Sequence, residues 1–133
     1  MKKQTILRCF LGFVVSICLV ISGCTLGYTL SQGTYAAKKT ENTLTQPTVT
    51  FDLTEQTFTF FYDPLSSDIP SGTIEVHGNR VTAKTEDGDR TYRFEIIDSE
   101  TIRFVQNGSS PVVTVEGKYP VSDGMEFHLE TNF

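Results

Sequence analysis

Between residues 71 and 97 apolar and polar side chains alternate one by one, and two glycine turns interrupt the alternation without breaking its phase. Only an extended chain, with its side-chain period of two, gathers such residues on one face. Gly78-Asn79 reads as a two-residue hairpin loop with glycine first, which pairs Val76 with Val81 and Ile74 with Ala83. Asp87-Gly88 reads as a type I′ signal and pairs Ala83 with Tyr92 and Val81 with Phe94. Every one of these pairs is apolar, and a slip of one residue at either turn would turn a whole strand over. Three antiparallel strands with a common apolar face are therefore expected.

The same pattern extends in both directions. Strands are predicted at about 33–38, 48–53, 57–62, 71–77, 80–86, 90–97, 101–106 and 125–130, with a ninth at Pro111–Gly117. Centring the first hairpin on Glu55-Gln56 pairs Leu53 with Phe58, Phe51 with Phe60 and Val49 with Tyr62, although the absence of glycine also allows a wider type I loop. Asp98-Ser99-Glu100 keeps Phe94 opposite Phe104. No helical stripe of useful length occurs. The fold class expected is all-β: a sequential antiparallel meander of about eight strands, closing into an up-and-down barrel of the lipocalin-like kind to remove its open edges. An open curled sheet is the alternative. The inward set contains Tyr35, Phe51, Phe58, Phe60, Tyr62, Tyr92, Phe94, Phe104 and Phe127, with aliphatic residues that include Leu53, Ile74, Val76 and Val81. An eight-stranded barrel is only just wide enough to be filled by side chains or to hold one small ligand, so this aromatic load predicts a solid interior.

The N-terminal segment belongs to a different regime. Lys2 and Lys3 precede an apolar run of 13 residues from Cys9 to Ile21, the length of a secretion signal rather than a transmembrane span. Ile21-Ser22-Gly23-Cys24 then resembles the bacterial lipobox, an aliphatic residue and two small ones before the cysteine that is acylated. The organisation expected is a lipoprotein signal peptide over residues 1–23, a lipidated N-terminus and short tether over 24–32, and a barrel domain over 33–133. An uncleaved anchor from Ile6 to Leu26 is the alternative, interrupted by Arg8, Ser16, Ser22 and Thr25. The three cysteines are Cys9, Cys18 and Cys24, so the 109 residues beyond Cys24 contain no disulfide, thiolate nucleophile or cysteine ligand. All 16 acidic residues follow the signal, against eight basic ones once Lys2, Lys3 and Arg8 are left out of the 11, a net charge of −8 for the mature part. That charge excludes nucleic acid and electrostatic docking to anionic lipid, and leaves the acyl chain on Cys24 as the means of holding the outer face of the cell membrane.

Two segments open alike, Gly33-Thr34-Tyr35 and Gly72-Thr73-Ile74, in a manner that resembles the start of lipocalin-like bacterial domains. The block from Phe60 to Phe104, with Asp63-Pro64-Leu65-Ser66-Ser67, Gly72-Thr73 and Glu86 through Ile96, is similar to a small β domain of lipoproteins from low-GC Gram-positive bacteria. That domain is also found near beta-lactam-sensing membrane metallopeptidases. The resemblance covers about half the mature chain, implies an extracytoplasmic β domain, and carries over no catalytic motif. No zinc-binding His-Glu-x-x-His is present.

Few residues offer chemistry. His77 and His128 fall on outward strand positions, as solvated surface histidines do. Glu86, Asp87 and Asp89 lack the ligand spacing of a calcium loop and are better explained by their turn. Asp63 and Asp68 flank a loop without further support for a glycosidase pair. Asn107-Gly108-Ser109 matches a glycosylation acceptor formally but reads as a turn. No catalytic residue, metal ligand or cofactor is expected. The loop Asp63–Pro70 places Leu65 and Ile69 in a polar connection, where they either plug the barrel end or face a partner, and Phe61 is a further apolar residue on an outward position. The function expected is a non-catalytic module that binds or modulates another envelope component, with a lipocalin-like carrier of a small apolar ligand as the alternative.

Overall fold

A computed structural model describes residues 27–39 and 45–131, and the lipobox residues Ile21, Ser22, Gly23 and Cys24 lie outside them. The alternating segments form strands β1 (Gly33–Ala37), β2 (Thr48–Asp52), β3 (Thr57–Phe61), β4 (Ser71–His77), β5 (Arg80–Thr85), β6 (Thr91–Asp98), β7 (Thr101–Val105) and β8 (Glu126–Leu129). Each pairs antiparallel with the next, and β1 also pairs with β8 through Tyr35 and Leu129, Ala36 and His128, and Ala37 and Phe127. The sheet is thus a closed up-and-down barrel of eight strands, as the lipocalin-like reading requires. Closure gives both outer strands of the meander a partner and leaves no edge to be capped.

The two glycine turns set the register as their sequence indicates. Val76 lies opposite Val81, Ile74 opposite Ala83, Val81 opposite Phe94 and Ala83 opposite Tyr92. Gly78 takes φ 61° while Asn79 stays at negative φ, the sign pattern of a II′ turn with glycine first. At Asp87-Gly88 the register is as expected but the turn is not type I′, because only Gly88 has positive φ. Instead Thr85 N–H donates to the Arg90 carbonyl (3.0 Å) and Gly88 N–H to the Thr85 carbonyl (2.9 Å), a wider turn over Glu86–Asp89. Asp87 stabilises it by accepting hydrogen bonds from Thr85 Oγ1 and Asp89 N–H. Those two donors hold the Asp87 carboxyl below the usual carboxylate range.

Three further expectations are corrected. The β2–β3 register is displaced by two residues: Phe51 faces Phe58 and Val49 faces Phe60, leaving Leu53–Gln56 as a four-residue loop closed by Gln56 at φ 55°. The apolar face is unchanged, since a shift of two preserves side-chain direction. Pro111–Gly117 is not a ninth strand but part of the long β7–β8 connection. Val76 has the inward register yet is exposed, because β4 pairs with β3 only through Ser71, Gly72 and Thr73, so that the β4–β5 hairpin tip stands beyond the barrel rim.

Inside the wall the aromatic side chains meet edge to face. Phe94 has ring centroids 6.0 Å from Phe51, 5.8 Å from Phe60, 5.7 Å from Phe104 and 6.0 Å from Phe127. Tyr35, Phe58 and Tyr92 are also buried, whereas Tyr62 packs on the core from its margin. Spacings of this size are those of rings in contact and leave no room between them for a ligand.

Strand alternation divides the connections between two ends. The short turns after β2, β4 and β6 share one end with the residues that precede β1. There Leu30 is buried, Ser31 Oγ donates to the Ser99 carbonyl (2.7 Å), and Leu53 N–H donates to Gln32 Oε1 (3.2 Å). Docking of the chain on the barrel thus begins at Leu30, before the first strand. The longer connections after β1, β3, β5 and β7 share the opposite end.

Candidate functional site

Residues of the β3–β4 and β7–β8 connections build the long-loop end. Asp63 is the join between them. Its carboxylate is buried, with Oδ1 accepting from Leu65 N–H (2.9 Å) in an Asx turn and Oδ2 accepting from Val115 N–H (2.7 Å) across the surface. One charged group therefore fixes two loops, through the stronger class of hydrogen bond. Pro64 then directs the chain outward, and Leu65 emerges 65% exposed beside Val115, also 65% exposed. Ile69 on the first loop and Val113 and Tyr119 on the second add exposed apolar surface.

The plug over this barrel end comes from another segment than expected. Val112 and Val121, from the β7–β8 connection, are buried in the core cluster, while Leu65 and Ile69 face solvent. The connection is tied at its three turns: Ser109 N–H donates to the Gln106 carbonyl (2.9 Å) at Gly108, Thr114 N–H to the Lys118 carbonyl (2.9 Å) around Gly117, and Met125 N–H to the Ser122 carbonyl (3.1 Å) at Gly124. Asn107-Gly108-Ser109 is accordingly a turn, with Ser109 Oγ accepting from Arg93 N–H and donating to the Val105 carbonyl.

Arg90 fastens the β3–β4 loop from the other side, its guanidinium lying 2.9 Å from Asp68. Asp68 is consequently an ion-pair partner, and Asp63 a backbone acceptor. Beneath them the Tyr92 hydroxyl is buried, with Tyr62 and Arg90 as its polar neighbours. Burial holds that phenol above the usual tyrosine range, the neighbouring Tyr62 acting in the same direction and Arg90 against it. Phe61, expected as an exposed apolar residue, is half-buried; it lines a shallow depression with Tyr62, Ile69 and Pro70.

Remaining candidates stand apart. His77 and His128 are solvent-facing and lie 3.6 Å from Glu75 and 3.8 Å from Glu126. The two roomier grooves, of about 570 and 510 Å³, are open: one runs along the outer β1–β8 seam beside Lys38 and His128, the other under the projecting hairpin beside Leu53 and Val76. Neither is lined by the axial aromatics. Sequence reasoning found Leu65 and Ile69 through the composition of their loop, but missed Val113, Val115, Tyr119 and the Asp63 join. The signal available was punctuation: Pro111, Gly117, Pro120 and Gly124 in one segment mark a turn-rich connection.

Fold and surface together define a small closed β-barrel filled by its own side chains, with apolar residues displayed on its long-loop end. No protein-family model, curated protein or solved structure matches the chain.

Proposed function

We propose that the chain is a lipid-anchored lipoprotein on the outer face of a bacterial cell membrane, and that its barrel is a non-catalytic module that binds or modulates another envelope component. The observation that carries this reading is the preformed apolar surface around Leu65 and Val115, at the barrel end opposite the one from which Gly27–Gln32 departs. Exposed apolar side chains gathered at one place mark contact surfaces, whereas scattered ones need no explanation. The ring contacts within the barrel support a surface function over carriage of a small ligand.

A photo-crosslinking residue at Leu65 in intact cells tests it. A discrete adduct is expected from Leu65 and none from Thr59, which is exposed on the barrel wall. Absence of an adduct at Leu65, together with a lipid co-purifying in the barrel, would favour the carrier. The anchor is tested separately. Mass spectrometry of the membrane fraction should find Cys24 as an acylated N-terminus, and Cys24→Ala should block processing there and release or mislocalise the protein. Recovery of an unprocessed chain from wild-type cells would refute the lipoprotein assignment.

A further inference from the structure

Which partner chemistry suits the long-loop end follows from its charges. Leu65 and Val115 are held side by side by Asp63, so their exposed side chains need little ordering before contact. The acidic β5–β6 turn runs beside the far end of the Asp63–Pro70 loop. Glu86 N–H donates to the Ser71 carbonyl (3.2 Å) just after the Asp63–Pro70 loop, and Arg90 reaches from the end of that turn to Asp68. Two cations of this end are engaged, Arg90 by Asp68 at 2.9 Å and Lys118 by Glu116 at 3.0 Å, while Arg93 lies against Gly108 at the base of the β7–β8 connection. Glu86, Asp87 and Asp89 form no ion pair among the described residues, and Lys84 is the one cation beside them outside such a pair. The loop that carries Leu65 is thus bordered by the carboxylates of Glu86 and Asp89, available to a partner, while that of Asp87 holds its own turn.

We propose that this end docks a protein segment whose apolar side chains are interleaved with lysine or arginine. The proposal rests on the binding-module reading above and specifies its partner. A second copy of the chain is disfavoured by self-repulsion at a mature net charge of −8, and an anionic lipid surface by the same charge. For a cationic segment the carboxylates assist approach, and the apolar side chains supply the contact that excludes water.

The chain contains no tryptophan, so Tyr119→Trp introduces a single reporter at the edge of the surface. The acylated protein in phosphatidylcholine nanodiscs is titrated with a short peptide of alternating leucine and lysine, and with its leucine and glutamate counterpart, against empty discs. Only the lysine peptide should shift the emission to the blue with a saturable curve. Leu65→Ser with Val115→Ser should weaken binding by about tenfold or more, as loss of two central contacts does. Glu86→Gln with Asp89→Asn should weaken it by about threefold and reduce its dependence on salt. Thermal melting of each variant verifies that the barrel is intact. Equal binding of both peptides, or binding that survives the serine pair, would overturn the proposal. If neither peptide binds while the in-cell adduct at Leu65 persists, the cationic partner is wrong and the binding module stands; if the adduct is missing too, both fall.

Discussion

Truncating Phe94 to alanine will lower the folding free energy by about 3–5 kcal/mol, the cost of removing a large aromatic from a packed core. Phe94 is fully buried and its ring touches Phe51, Phe60, Phe104 and Phe127, which come from β2, β3, β7 and β8. No single neighbour can fill the space it leaves, because each is held in its own strand on a different part of the wall. Chemical denaturation of the mature protein reads the loss directly. Leu65→Ala is the control and should change stability by less than about 0.5 kcal/mol, since an exposed loop side chain contributes little to the fold. Similar losses for the two variants would mean that the aromatic column is not the core.

Gly72→Ala should destabilise by about 3 kcal/mol, near the upper end of overpacking effects. The position is buried in β4 and faces Phe58 on one side and Thr85 on the other. An added Cβ would overlap the Lys84 carbonyl oxygen and stand 2.8 Å from Thr85 Cα. Both atoms belong to the backbone of β5, so no side-chain rotation relieves the clash; β4 and β5 must separate. Glycine in a strand ordinarily weakens it, and here close approach of the neighbouring chain reverses that rule. Gly27→Ala, with nothing within 4 Å of the new methyl group, should melt like the parent. A Gly72→Ala protein as stable as wild type would show that the β4–β5 spacing is looser than described.

What could be read in advance depended on how local the determining signal was. The β4–β5–β6 register was legible because glycine occupies a position where each turn needs positive φ, and because any other phase would bury charges. The β2–β3 register was not. Glu55-Gln56 contains no glycine, and Gln56 adopts its left-handed conformation only within the complete four-residue loop. Val76 illustrates a different limit: its direction followed from the sequence, but its exposure depends on β3 ending its pairing with β4 at Thr73. In the candidate surface, Leu65 and Ile69 were visible as apolar residues in a polar loop. Val113 and Val115 were hidden by a short alternation that resembled a strand, although Val112 does turn inward and Val113 outward as that alternation suggests. The role of Asp63 required the fold itself, since its second acceptor contact is to a residue 52 positions away.

The way the chain enters the barrel has a mechanical consequence. A load arriving at Gly27 passes first to Leu30 and to the Ser31–Ser99 and Tyr35–Ser31 hydrogen bonds, and only then to β1. Because β1 begins at that same end and runs away from it, a pull directed out of this end acts along the strand. The bonds joining β1 to β2 and to β8 lie across that direction and are loaded together in shear, rather than one after another as in peeling. The strand that closes the barrel is thereby loaded in shear by traction from the N-terminal side, so a domain tugged from there should yield only after the Leu30 clasp has let go.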